Sequence, residues 1–420
     1  MATLLSPGVA WSEVDLTTVV PGISTSVGGI AGKFTWGPVN ELTTIGSEVQ
    51  LVNVFGTPDQ NTFPTFFTAA SFLAYTQNLL VVRAAVQTDT GGTNYNASSG
   101  NSPLFIPNKN SYELNYMPMG TLSQASANNG MFTARYPSYL GNGLAVSIWA
   151  NTTNTAAWSN TWALTGNTQN SINWSAYFNG IPGTSPWVQS QGGQNDEMHI
   201  IVIDTLGNFT STPNTVLERY AYVSKAIDAT NDDGTSNYYV NVINEKSNYI
   251  YITHHPVYQP ANTNTWVSDT TNWGAVSTNT NFSQGNNAYT SVLGGGTWTT
   301  PSDGTLQTAY GYFQNADLAD ISLLMMADAD ATTTEWVLSN ITSVRRDHVL
   351  FVSPPGATGT GVVNAPGYEA TNAITYRNNF GSSSYVIMDS SWKKVYDKYN
   401  NVYRWVPLNG DIAGLRSEEH

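Results

Sequence analysis

The apolar pattern changes period at Gly294-Gly295-Gly296, and no other feature of the chain limits its possible folds as tightly. Beyond the glycines, short apolar runs alternate with helix-spaced segments. A helix is expected near Leu306 to Phe313, a strand from Asp320 to Ala327 and a helix from Thr333 to Arg345. A strand from Val349 to Ser353, a helix from Ala365 to Asn379 and a strand from Tyr385 to Asp389 follow. Strands alternating with helices require a parallel or mixed sheet covered on both faces. Residues 25–90 share this texture: strand from Thr25 to Trp36, strand from Val49 to Phe55, helix from Pro64 to Gln77, strand from Leu79 to Ala85. The last run is apolar but for Arg83, as in a strand buried on both faces.

Between these ends the chain reads differently. Residues 130–293 carry short aromatic or branched runs separated by turn residues: Met131–Tyr136, Leu144–Ala150, His199–Asp204, Tyr238–Ile243 and Tyr249–Thr253. Such runs are strands, with one helix expected around Thr215 to Ile227. The fold class is therefore α/β plus mainly-β, an α/β unit built from both chain ends with a β-rich insertion. The boundaries fall at 1–22 for an extended N-terminal arm, 23–87 and 294–420 for the α/β unit, 88–128 for a small protruding insertion and 129–293 for the β-rich unit. Pro7-Gly8 and Pro21-Gly22 bracket the arm, and its Val9, Trp11, Val14 and Leu16 follow no helical period. Such an arm either packs as a strand on its own unit or is donated to a neighbour.

Charge narrows the choice of partners. Charged residues are only 10% of the chain and the formal net charge is −14. That field repels nucleic-acid phosphates and anionic membranes, so neither is expected as a partner. Residues 341–420 hold 8 of the 15 Lys and Arg against 7 carboxylates; the rest of the chain holds 7 against 22. Mixed signs suit packing against copies of the same chain. No apolar run approaches a membrane span, and Met1 to Pro7 does not read as a signal peptide. With no cysteine, thiolate chemistry and Cys-ligated zinc are excluded.

The motifs that could carry catalysis are weak. Gly356-x-x-Gly359-x-Gly361 lies between a strand and a helix but lacks the Lys-Ser/Thr of a phosphate loop, and reads as a surface loop. Asp328-x-Asp330 precedes a helix, where carboxylates stabilise exposed N–H groups. Asn231-Asp232-Asp233-Gly234 reads as a turn. His254 and His255 point to opposite faces of a strand and cannot readily share one ion. His199, His348 and His420 show no partner in sequence. No enzyme, cofactor or metal is expected.

The chain resembles the contractile tail sheath proteins of T-even-type phages. The shared segments run in order: Leu4-Leu5-Ser6-Pro7-Gly8-Val9, Ala31-Gly32-Lys33-Phe34-Thr35-Trp36-Gly37-Pro38, Leu51 to Pro58 and Val81-Val82-Arg83-Ala84. Arg135-Tyr136-Pro137, Gly141-Asn142, Leu217-Glu218, Ile243-Asn244-x-x-Ser247 and Leu293-Gly294-Gly295 follow. The last are Tyr396-Asp397-Lys398-Tyr399-Asn400, Arg404-Trp405-Val406-Pro407-Leu408 and Asp411-Ile412-Ala413-Gly414-Leu415. The resemblance implies an inner α/β unit near a tail tube and an outer β-rich unit. It implies a structural subunit that polymerises helically and contracts to drive the tube through the host envelope.

Its implied partners are copies of itself, the tail tube protein, and baseplate and tail terminator proteins. Its implied place is the virion tail, after assembly in the host cytoplasm. The arm residues Leu5, Ser6, Pro7, Gly8, Val9, Trp11, Val14 and Leu16 become candidate assembly residues, because in the family arms augment sheets of neighbouring subunits. Family members continue where this chain ends, at inner-unit helices and a C-terminal arm, so the 420 residues alone are expected to be monomeric. A glycan- or receptor-binding surface protein is the alternative, resting on Trp158, Trp162, Trp174, Trp187, Trp266 and Trp273; an α/β nucleotide or metal enzyme is a more distant one.

Overall fold

A computed structural model describes residues 26–100, 104–117, 130–150, 152–153, 158, 161–163, 171–259, 265–268, 272–284, 289–356 and 361–418. The arm residues Leu5 to Leu16, together with Gly359 and His420, lie outside the described residues.

A six-stranded sheet joins the two ends of the chain. Its order is Val386–Met388, Val349–Val352, Leu323–Met325, Gly28–Gly32, Leu79–Arg83 and Thr43–Ile45. The first five strands run parallel; Thr43–Ile45 pairs antiparallel at the edge. Successive residues alternate between two cores. Ala31, Val82, Leu324 and Leu350 face Leu306, Tyr310, Phe313, Val337 and Ile341. Ile30, Val81, Met325 and Phe351 face Leu51, Phe55, Phe66, Phe72 and Ala413. A strand with helices on both sides has no polar face, which is why Leu79 to Val82 reads as an unbroken apolar run, with Arg83 at its end. Each large apolar side chain buried this way contributes about 1.5–3 kcal/mol.

The β-rich unit is built on a four-stranded antiparallel sheet in the order Thr215–Ser224, Glu197–Asp204, Leu144–Trp149, Tyr289–Val292. One face carries Trp149, Trp158, Trp174, Phe178 and Ile201. The other carries Val146, Ile148, Ile200 and Val202 against Tyr239, Ile243 and Ile252.

Three expected elements differ. Val49 to Phe55 was expected as a strand, and Glu48–Phe55 is a helix. Ser47 caps it by accepting from the Gln50 N–H, and Gly56 ends it at φ +79°. The expected helix at Thr215 to Ile227 is the strand Thr215–Ser224, whose β-branched and aromatic side chains pair with Glu197–Asp204. The expected strand at Tyr238–Ile243 is the helix Tyr239–Lys246, with Tyr239, Val240, Val242 and Ile243 buried. Spacings of one, three and four bury one side of a helix, and local propensity gave way to packing.

The described part of 88–128 does not stand apart. The Asn96 side chain donates to the Ile106 and Ala134 carbonyls and accepts from the Ile106 N–H, so it stitches three segments together. Tyr112 stacks on Tyr251 at 4.1 Å inside the β-rich core. Of the glycine run, Gly296 is packed, while Gly294 and Gly295 face open space. A Cβ on Gly296 would lie 2.3 Å from the Ser138 carbonyl oxygen.

Candidate assembly surface

Downstream of the last sheet strand, Trp392–Asp397 and Val402–Pro407 form an antiparallel hairpin that sequence reading left unassigned. Its turn is organised by one carboxylate. Fully buried Asp397 accepts from the Tyr399 and Asn400 N–H groups, from the Asn400 amide and, at 2.7 Å, from Arg404 Nε. Arg404 lies over the Phe63 ring at 4.6 Å and donates through Nη1 to Gln60. Tyr399 packs edge-on against Phe66 and donates its hydroxyl to Glu48, which Lys398 also pairs. Asn400 donates to the Pro58 carbonyl. These contacts clamp the hairpin to the helices Glu48–Phe55 and Phe63–Leu73 and leave little freedom at the turn.

The next helix, Asn409–Ser417, completes the clamp. A Cβ on Gly410 would lie 2.3 Å from the Thr68 carbonyl oxygen, and one on Gly414 would lie 2.3 Å from the Tyr75 ring. The spacing of four puts both glycines on one side of the helix, so it rides close on Phe63–Leu73. Ala413 between them is fully buried.

The two faces of the hairpin differ. Val395 and Val406 turn toward the sheet core. Lys394, Tyr396, Tyr403 and Trp405 are exposed on the opposite face. Among the described residues no third strand pairs with either edge. Unpaired edge N–H and C=O groups beside an aromatic face form a template for an added strand. Lys394 Nζ sits 5.5 Å from the Tyr403 ring centroid.

The residues singled out for chemistry have structural partners. Asp330 caps the helix Ala331–Val337 by accepting from the Thr333 N–H at 2.8 Å, as expected of a carboxylate before a helix. Asp328 instead pairs with Lys33 at 2.8 Å. Asn231 to Thr235 is a turn closed by the Gly234 N–H to the Asn231 carbonyl, with Gly234 at φ +81°. His199, which showed no partner in sequence, accepts the Tyr222 N–H at Nδ1, so its Nε2–H donates to the Gly180 carbonyl. Burial holds its pKa down to about 4. His348 bonds Thr342 and Asp347, and His255 bonds the Tyr239 hydroxyl at 2.6 Å. Gly356 lies under the Trp392 ring, where a Cβ would meet it at 2.7 Å; this start of the glycine loop is packed rather than free. Of the six tryptophans, Trp158, Trp174 and Trp273 are core residues, and Trp187 is 37% exposed.

Comparison with known proteins bears on this geometry. A family model described as the N-terminal region of domain III of the tail sheath protein Gp18 matches residues 25–84. That segment holds the strands Gly28–Gly32, Thr43–Ile45 and Leu79–Arg83 and the helices under the hairpin. The tail sheath protein of Enterobacteria phage T4 is 25% identical over 482 aligned residues, covering 98% of this chain and 72% of that protein. Those of Vibrio phage KVP40 and Salmonella phage ViI are each 24% identical over 98% of this chain, and 73% and 69% of their own lengths. Among solved structures, sheath tail proteins from Listeria innocua and Desulfitobacterium hafniense align over 93% of this chain. Their TM-scores are 0.44 and 0.40 and their identities 10% and 8%; the chain spans 55% and 57% of their lengths. In sequence, along nearly its whole length, the chain is similar to the tail sheath proteins of these three phages.

Proposed function

We propose that the chain is a structural subunit of a contractile phage tail sheath, and that it performs no catalysis. In this reading residues 23–87 and 294–420 form the inner unit against the tail tube, and 129–293 form the outer unit. Subunits polymerise helically around the tube, between baseplate and terminator proteins, in the host cytoplasm, and work in the virion. The observation that carries the reading is the C-terminal hairpin: two edges unpaired among the described residues and an exposed aromatic face on a rigidly clamped base. An extended arm from a neighbour, with Leu5, Val9, Trp11, Val14 and Leu16 set among polar residues without helical period, supplies a strand of the kind such an edge accepts. Because the donor and the acceptor are different surfaces, each contact is head-to-tail, and the array continues as a helix. Rigid units joined by extended arms can then turn and slide past one another without parting, and stored packing energy drives the tube.

The test is assembly of the full-length protein around tubes, viewed by electron microscopy. Tyr396→Thr with Tyr403→Thr, which keeps strand-forming residues at both positions while removing the aromatic face, should leave the far-UV spectrum unchanged and abolish sheath. Val14→Pro should do the same, because it removes an N–H from the added ladder. Normal sheath from both variants would overturn the proposal. A glycan- or receptor-binding role rests on Trp187 alone among the described aromatic candidates with substantial exposure, and it is the weaker reading.

A further inference from the structure

The most unusual side chain in the described structure is Arg83, at the end of the strand Leu79–Arg83. It is fully buried, and no carboxylate pairs with it among the described residues. Its guanidinium is held by four carbonyl oxygens instead. Nε donates to Phe34 at 2.8 Å, Nη1 to Gly37 at 2.8 Å, and Nη2 to Thr35 at 3.2 Å and Pro137 at 2.7 Å. The first three belong to the turn that leaves the six-stranded sheet. The fourth belongs to the segment that enters the four-stranded sheet.

A buried charge without a counter-ion is costly, and burial pulls this guanidinium down to about 9. A planar fork with five N–H donors in fixed directions is the group best suited to gather several carbonyls at once. The surrounding contacts follow the same line. Trp36 packs edge-on against Tyr136 and Phe209 at 5.4 and 5.0 Å. Val39 donates to the Pro107 carbonyl, Asn108 donates back to the Val39 carbonyl, and the Tyr139 hydroxyl reaches Asp59.

We propose that Arg83 is the residue that fixes the angle between the six-stranded and four-stranded sheets, so that a load on one is carried to the other without bending. The inference concerns a single chain and stands whether or not the chain polymerises. Lysine at this position keeps the charge but presents a point donor, which cannot hold carbonyls from both sides in one plane. The ring packing around Trp36 would remain, but the sheets could rock about it.

The cysteine-free chain allows a direct test. Val344 and Leu206 are exposed on the two units and can be replaced by cysteine and spin-labelled. Pulsed electron–electron resonance on the unmutated background should give one narrow distance distribution. Arg83→Lys, folded by far-UV dichroism, should at least double its width. Trp36→Leu, which leaves the four carbonyl bonds in place, should not. A merely stabilising role would lower the melting temperature of Arg83→Lys without widening the distribution among folded molecules, and that result overturns the proposal. So does a broad or two-peaked distribution in the unmutated chain; where Arg83→Lys does not fold, Arg83→Gln, which keeps fewer of the four carbonyl bonds, is read by the same criterion.

Discussion

Tyr396 and Tyr403 stand directly opposite each other across the C-terminal hairpin, ring centroids 5.3 Å apart, with 50% and 69% of their surfaces in water. Aromatic cross-strand pairs stabilise hairpins by a few tenths to about 1 kcal/mol, so the pair helps hold an otherwise marginal two-stranded sheet. It also leaves an apolar face for an added strand to cover.

The hairpin itself depends on Asp397. Removing one partner of a buried pair leaves the other charge uncompensated, at a cost of about 3–5 kcal/mol. Asp397→Ala removes the acceptor of Arg404 and of the turn N–H groups together. Urea unfolding should show a loss of about 3 kcal/mol. A loss under about 1 kcal/mol would mean that the turn is held by its other contacts.

Two glycine substitutions separate close approach from helix propensity. Gly410→Ala would drive a Cβ against the Thr68 backbone, which cannot rotate away, so about 1–3 kcal/mol should be lost. Gly304→Ala, in the helix Asp303–Tyr310, meets nothing within 4 Å and should add about 0.5–1 kcal/mol. Equal melting temperatures for the two variants would contradict the packing described.

His199 sets a pH dependence. Its folded pKa, about 4, lies below the ordinary 6.5 because burial disfavours the imidazolium. Between pH 6.5 and about 4 the unfolded chain therefore binds a proton that the folded chain does not. Stability is complete above pH 6.5 and falls with pH across that window by about 1.4 kcal/mol per pH unit for this group. His199→Gln should flatten the measured slope by that amount between pH 6 and 4.5. An unchanged slope would place the titrating group elsewhere.

Much of the sheet was legible. The short apolar run from Leu79 to Val82 read as a strand covered on both faces, and the alternation after Gly296 pointed to a parallel sheet. The helix Glu48–Phe55 was misread because Val49, Val52 and Val54 are β-branched and Leu51 and Phe55 apolar, while the signals that matter, Ser47 and Gly56, are single residues. The hairpin escaped notice because its exposed face is aromatic and its inner face carries Asp397, which inverts the usual pattern of apolar inside and polar outside. Arg83 was hidden for a similar reason: a charge at a strand end ordinarily marks the surface, and only the fold reveals four carbonyls converging on it. The carboxylate cap at Asp330 was visible because helix N-termini have a local signature.

The arm leads to the last prediction, which bears on the proposed head-to-tail linkage itself. The chain has no cysteine, so one can be placed in the arm by Trp11→Cys and another on the hairpin by Trp405→Cys, in separate full-length chains. Mixed, assembled around tubes and treated with a short bismaleimide, the two variants should yield a covalent dimer containing one of each, and neither alone should do so. Sheath that forms normally from the mixture, yet gives no such dimer, would contradict the claim that the arm of one subunit completes the hairpin of the next.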